Sequence, residues 1–594
     1  MPMTPVEYEV SAVSPRGHRF RVTCTVPAPD TEGQRFTLPA WVPGSYLIRE
    51  FARNILSVAA SDAAGNPVVV RKIDKQTWQA APVADALTLT YELHARDSSV
   101  RAAYLDDQRG FFDGTSVYLR PVGRETSPCR VRLPPLPDHD WQVATSLPAV
   151  AVDAAGFGEY AADDYRSLID YPVAMGRNID RIDFQAGGVP HAFVCLGRHD
   201  ADREKLAADL TRVCEAQAAV FGEMPMDNYL FLAQIAGAGY GGLEHRASAA
   251  LLVDRNALPV AGAAGRSDAY AELLGLCSHE YFHLWNVKRI QPAAVADSDL
   301  ATEAHFEDLW AYEGVTSYYD DLALVRAGLI DETAYLGRLQ RIANRLAGNP
   351  GRRCQSLAQS SFDAWTKFYR PDENSPNAVV SYYGKGALVA LCLDLLLRDR
   401  TEGDVSLDDV MARVWAEHGR PGIPVPENGL EAIAAEVAGA DLSDFFDGAV
   451  RGTEELPLAE LLARFGVRAR RVTPDTRDGA AFLLAQGLRL NAGAGPARLL
   501  HVLTDSPAEA AGLCPGDVIV AVDGLRAEAD TLTRRLRRVP TGTPVTLHLF
   551  RDDELLTRRF APRAPAADQW RFRLMSRCDA ETAARRTAWL SLPS

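Results

Sequence analysis

The sequence predicts a multidomain α+β protein: a β-sandwich-like N-terminal domain, a mixed α/β part leading into a helical domain, and a small C-terminal domain where short strands return. Three observations predict this. At 594 residues the chain is too long for one compact core, so three or four domains are expected. The apolar spacing changes twice along it, from strand-like to helical near residue 176 and back to short strands near 456. Hydrophobic residues at 47% and charged residues at 24% are the composition of a chain that buries its cores.

Residues 1–175 carry alternating runs such as "HRFRVTCTV", "LTLTYELHA" and "TSVYLRP", broken by Gly, Asp and frequent proline ("PAPD", "LPPLPD"). They read as a β domain holding no catalytic cluster. Residues 176–322 contain the helical segments "DREKLAADLTRVCEAQAAVFG", "SDAYAELLGLCSHEYFHLWNVKR" and "FEDLWAYEGVTSYYDDLALVRAG", with strand-like "YLFLAQI" before a glycine-rich turn. Residues 323–455 are mostly helical: "DETAYLGRLQRIANRLAG", "KGALVALCLDLLLRDR", "SLDDVMARVWAEHG". A last unit spans 456–565, and 566–594 is an Arg- and Ala-rich tail with no legible element.

Composition excludes some roles. A net charge of −15 speaks against general binding of nucleic acid or an anionic membrane, both of which need clustered positive charge. The basic runs at 468–471 and 534–538 read as solvated faces. Nine cysteines without a Cys-x-x-Cys pair suggest free thiols in a reducing compartment. No basic-then-apolar leader opens the chain and no apolar run approaches about 20 residues, so a cytoplasmic protein is expected.

The chemistry centres on "SHEYFHLWNVKRI" (278–290). His279 and His283 stand one helical turn apart on one face, with Glu280 beside it, and Ser267 or Asp268 can cap the helix. Neutral imidazoles suit Zn²⁺, and three protein ligands plus a water make a catalytic site. The third ligand is open to two glutamates. Arg289 stands where metzincins have their third histidine, which excludes that subclass. Glu303 lies in polar "ADSDLATEAH", whereas Glu313 lies in the helical, aromatic "LWAYEGVTSYYDD". A ligand must be held rigidly, which favours Glu313. One zinc per chain is expected.

Two further clusters bear on substrate. In "AGAGYGGLEHRAS" (236–248), Gly241 and Gly242 let a peptide backbone approach, and Glu244 can bind an α-ammonium group. In "SYYGKGALVALC", Tyr382 or Tyr383 can donate to the oxyanion of a tetrahedral intermediate. Each cluster alone also reads as ordinary packing, a glycine turn or an aromatic pair.

Together the blocks "WVPGSYLIREFARNI" (41–55), "RAAYLDDQRGFFDGTSVYL" (101–119), "GGLEH", "HEYFHLWNVKRIQP", "LWAYEGVTSYY" and "YYGKG" resemble the glycyl aminopeptidase family of zinc metallopeptidases, which carry a C-terminal PDZ domain. The resemblance implies a thermolysin-like catalytic domain over 176–322, a helical domain over 323–455 and a PDZ domain over 456–565. It implies that His279, His283 and Glu313 are the zinc ligands, Glu280 the general base, Glu244 the amine binder and Tyr383, in Tyr-x-Lys-Gly, the oxyanion donor. Leu243 and His245 stand where aminopeptidase N of the same clan has Met and Asn. The stretch "DSPAEAAGLCPGDVIVAVDG" (505–524) resembles the PDZ signature, and Gly487, Leu488, Arg489 and Leu490 are candidates for a nest that takes a peptide C-terminus. The expected activity is removal of small N-terminal residues, glycine or alanine, from peptides. A zinc endopeptidase and a non-catalytic PDZ scaffold are the alternatives.

Overall fold

The computed structural model describes residues 4–592, apart from 138, 263–264, 476, 492 and 494. The N-terminal alternation becomes strands whose apolar residues face inward: Phe20, Val22, Cys24 and Val26 of Arg19–Val26 are fully buried. That strand sits between Val6–Ser14 and Leu87–His94 in an eight-stranded, mainly antiparallel sheet. Two four-stranded sheets complete the β-rich domain.

The next unit is a five-stranded sheet in the order Ile179–Ala186, Val189–Leu196, Tyr229–Ala236, Ser248–Asp254, Tyr240–Glu244. Its three middle strands run parallel and are apolar almost throughout, as strands covered on both faces must be. Tyr240–Glu244 folds back antiparallel and forms one edge. The helix Asp268–Phe282 packs against this edge and its neighbour. It also packs on the helices Arg203–Phe221 and Val315–Arg326.

The helix Tyr382–Arg400 touches Val315–Arg326, Glu332–Ala347 and the turn Trp310–Gly314. The stretch Ser375–Arg400 is long and apolar enough to cross a membrane, but 72% of its apolar window is buried inside the fold. A helix enclosed by others is apolar on all sides for that reason.

The C-terminal domain is a six-stranded unit with its own small core, from Phe482 to Phe560. Leu458–Arg464 and Val467–Val472 pack instead with the large core that begins at Val6. The tail, which showed no element in the sequence, forms the strand Gln569–Leu574, paired with Val467–Val472, and the helix Ala580–Leu590. Trp589 is fully buried. It donates from Nε1 to Tyr318 Oη at 2.9 Å and accepts on its carbonyl from Arg326 Nη2 at 3.2 Å. The strand alternates Trp570, Phe572 and Leu574 with Arg571 and Arg573, a short signal that the Arg-rich composition masks, and the helix has one aromatic anchor among Arg and Ala.

Candidate metal centre and peptide cleft

Ser267 caps the motif helix, its side chain accepting from the Tyr270 N–H at 3.1 Å. The helix does not run on through "LWNVKR" as its apolar pattern predicts; it stops at His283. The reason is Asn286, whose side-chain amide donates to Ala311 O and Tyr312 O at 3.1 and 3.2 Å. That turn ties the end of the motif helix to the segment carrying Glu313. Glu313 lies on a π-helical turn, Trp310–Gly314, ahead of Val315–Arg326, a local widening found often at functional sites.

His279 Nε2 lies 3.1 Å from His283 Nε2, and Glu313 Oε2 lies 3.6 and 3.3 Å from the two nitrogens. One donor atom from each falls within 4.8 Å of the others. Ligands at zinc bond lengths of about 2.0–2.2 Å in a tetrahedron are separated by roughly 3.3 Å, so the donor set fits the ion. The remaining ring nitrogens are committed elsewhere. His283 Nδ1–H donates to Asn286 O at 2.7 Å, and His279 Nδ1 faces Asp320 Oδ2 at 3.4 Å. Both arrangements leave the Nε2 lone pair turned inward. Glu303 is exposed and stands apart from this group.

Burial raises the Glu313 carboxyl, but the imidazoles of His283 and His279 outweigh it and hold the group at about 2. Glu280 is different: burial pushes it up to about 7, with Glu244 adding to the rise. Glu280 Oε2 is buried and has no hydrogen-bond partner. Its carboxylate lies against the edge strand, where a Cβ on Gly242 would fall 2.1 Å from Oε1. Gly242 is therefore glycine because the carboxylate occupies the space of a side chain.

Glu244, at the end of the same strand, is buried with Oε1 unpartnered. The N-terminal domain closes over it: a Cβ on Gly44 would fall 2.2 Å from Glu244 Oε1. Arg101 also reaches in from that domain and donates from Nη2 to Gly242 O at 2.7 Å. The β domain, read from the sequence as holding no catalytic cluster, thus still sends Gly44 and Arg101 to the edge strand. Local strand alternation carries no information about contacts to a strand about 140 residues later.

The two tyrosines of the sequence become four. Tyr383 lies over the His279 ring at 6.3 Å between centroids, and Tyr382 lies 4.7 Å from Tyr383 with its hydroxyl buried and unpartnered. Tyr369 and Tyr46 complete the group, 6.4 Å apart. Burial and the Glu313 charge push the phenols of Tyr46 and Tyr383 well above their ordinary range, so both keep their protons as donors. What brings this end of Tyr382–Arg400 to Glu313 is a glycine contact, since a Cβ on Gly314 would fall 2.5 Å from Gly386 Cα.

Residues 7–177 match the model of the peptidase M61 N-terminal domain, 272–389 that of M61 glycyl aminopeptidase, and 500–549 that of a PDZ domain. A solved aminopeptidase N family protein from Idiomarina loihiensis is 38% identical, with a TM-score of 0.92, over 99% of this chain and 100% of that one. The chain belongs to the M61 glycyl aminopeptidase family. It is a hydrolytic metallopeptidase with a C-terminal PDZ domain. An M1 zinc metallopeptidase from Deinococcus radiodurans is 15% identical at a TM-score of 0.49, over 77% of this chain and 95% of that one. Among curated proteins none matches.

In this M61 peptidase the PDZ domain is docked on the segment that joins Tyr369 to Tyr382. Asn377 donates to Val502 O at 2.9 Å and accepts from Thr504 N–H at 3.0 Å, and His501 Nδ1 donates to Glu373 O at 3.0 Å. At the candidate nest, the Gly487 N–H already donates to Leu484 O at 2.9 Å. Strand Leu488–Leu490 lies at the edge of its sheet. The helix Gly479–Ala485 packs against it and against the helix Ala529–Leu536, with Phe482 and Leu483 in the small core.

Proposed function

We propose that the protein is a zinc aminopeptidase releasing small N-terminal residues, glycine or alanine, from peptides. The observation that carries this reading is Glu244: a buried carboxylate with an unpartnered oxygen, walled by Gly44. Such a group calls for a cation, and an α-ammonium is the cation a peptide brings. The close approach of Gly44 on that side favours an exopeptidase over an endopeptidase.

His279, His283 and Glu313 would hold zinc, which supplies Lewis acidity, lowering the pKa of a water towards about 7 and polarising the scissile carbonyl. Glu280, beside Gly242, takes the proton from the attacking water and passes it to the leaving amine; a base near neutrality suits both transfers. Tyr383 donates its hydroxyl proton to the developing oxyanion. Gly241 and Gly242 let the substrate backbone lie along the open edge of the sheet. The nine unpaired cysteines, six of them buried, suit a reducing compartment such as the cytoplasm.

The test compares peptides with free and acetylated N-termini, with and without chelator. Cleavage of free peptides alone, lost on chelation and restored by zinc, is the expected result. Equal cleavage of acetylated peptides would remove the aminopeptidase reading.

A further inference from the structure

Two arginines of the N-terminal domain, one at the edge strand and one beside Gly44, have no ion-pair partner among the described residues. Arg101 takes Gly242 O, the carbonyl at the open edge of the sheet, and its Nη1 lies 4.0 Å from where a Cβ on Gly241 would sit. Its Nε is buried with no acceptor. Arg49 is anchored by Nη2 on Ser45 Oγ at 2.7 Å, one residue from Gly44, and its Nε is likewise buried without an acceptor. Among the described residues neither guanidinium forms an ion pair. Burial and the nearby charge of Arg101 both lower the Arg49 pKa. The charges of Asp97 and Asp113 act the other way, and a partly buried guanidinium gains further from an anion in direct contact with it.

The geometry points to a carboxylate of the substrate. The α-ammonium end is set by Glu244, and Gly242 and Gly241, which Arg101 approaches, lie two and three residues along the strand, about 7 and 10 Å at roughly 3.3 Å per residue. These are close to the span from amine to carboxylate in a peptide of two or three residues. Arg101 takes one carbonyl, Gly242 O, of the edge along which the substrate backbone lies. We propose that Arg49 and Arg101 bind a carboxylate on the leaving side of the scissile bond, so that the enzyme favours substrates carrying one there. The carboxylate is either the free C-terminus of a di- or tripeptide or an acidic side chain of a longer one. The proposal rests on the aminopeptidase reading, which sets the direction of the substrate.

The experiment measures kcat/KM for Ala-Ala against Ala-Ala-NH2, and for Gly-Glu-Ala-NH2 against Gly-Gln-Ala-NH2. The native enzyme should favour the carboxylate in at least one pair by about 10- to 100-fold, as for a charge-assisted hydrogen bond. Preference in the first pair assigns the C-terminus and in the second the side chain. Arg49→Gln and Arg101→Gln should each bring that ratio towards one, with the change in KM; a purely structural role would lower both members of a pair equally and keep the ratio. A native ratio within about twofold for both pairs, or variants that retain the native ratio, would overturn the proposal. N-acetylated counterparts are read separately: their cleavage sinks the aminopeptidase reading and not the carboxylate preference itself.

Discussion

The Glu280 carboxylate rests on the backbone of Gly242, filling the volume where a side chain on that strand would begin. The edge strand and the motif helix therefore approach each other only through a glycine. Gly242→Ala should push the carboxylate aside and lower kcat by about 10²-fold, the cost of roughly 1 Å of misplacement. A melting temperature close to native would show that the fold is intact, and native kcat in this variant would contradict the assigned contact.

Glu280→Gln keeps the shape and removes the base. It should retain zinc, measured by metal analysis, while kcat falls by about 10²- to 10⁴-fold. A fully active Gln variant would rule out Glu280 as the proton carrier.

Tyr383 faces the ring of His279, whereas Tyr382 packs against Phe368 at 4.6 Å. Tyr383→Phe should lower kcat by about 10²- to 10³-fold, as loss of one oxyanion donor does. If that loss follows Tyr382→Phe instead, its buried hydroxyl is the donor.

Asp308, five residues before Glu313, accepts from the Asn428 N–H. Burial pushes its carboxyl from 3.8 up to about 7, and Glu431, Glu427 and Glu307 add to the rise. The folded state thus keeps a proton that the unfolded chain has released over this window. Its contribution to stability is present below about pH 4 and is lost as pH rises to about 7. Asp308→Asn should raise the melting temperature, and by more at pH 8 than at pH 5; an equal shift at both would contradict the elevated pKa.

Trp589 closes the helical domain from the far end of the chain, bonded to Tyr318 and Arg326. Trp589→Ala should cost about 3–5 kcal/mol, as for other buried aromatics. The measured sign is a lower melting temperature, and an unchanged one would mean that the terminal helix does not clasp the core.

Much of the fold and of the candidate metal group was legible in the sequence alone, because the causes are local. Strand alternation marked the β-rich domain, and the spacing of His279 and His283 put both on one helical face. Rigidity was enough to favour Glu313 over exposed Glu303. The grouping of four phenols, the glycine contacts and the approach of Arg101 and Gly44 to the edge strand were decided only by tertiary structure. The helix stop at His283 belongs with them, since it depends on Asn286 reaching Ala311 and Tyr312. Gly242 shows the difference: the sequence displays a permissive residue, and the packing of Glu280 shows why a side chain cannot stand there. Contacts between segments tens or hundreds of residues apart leave no period in either segment, so they become readable only when the chain has folded.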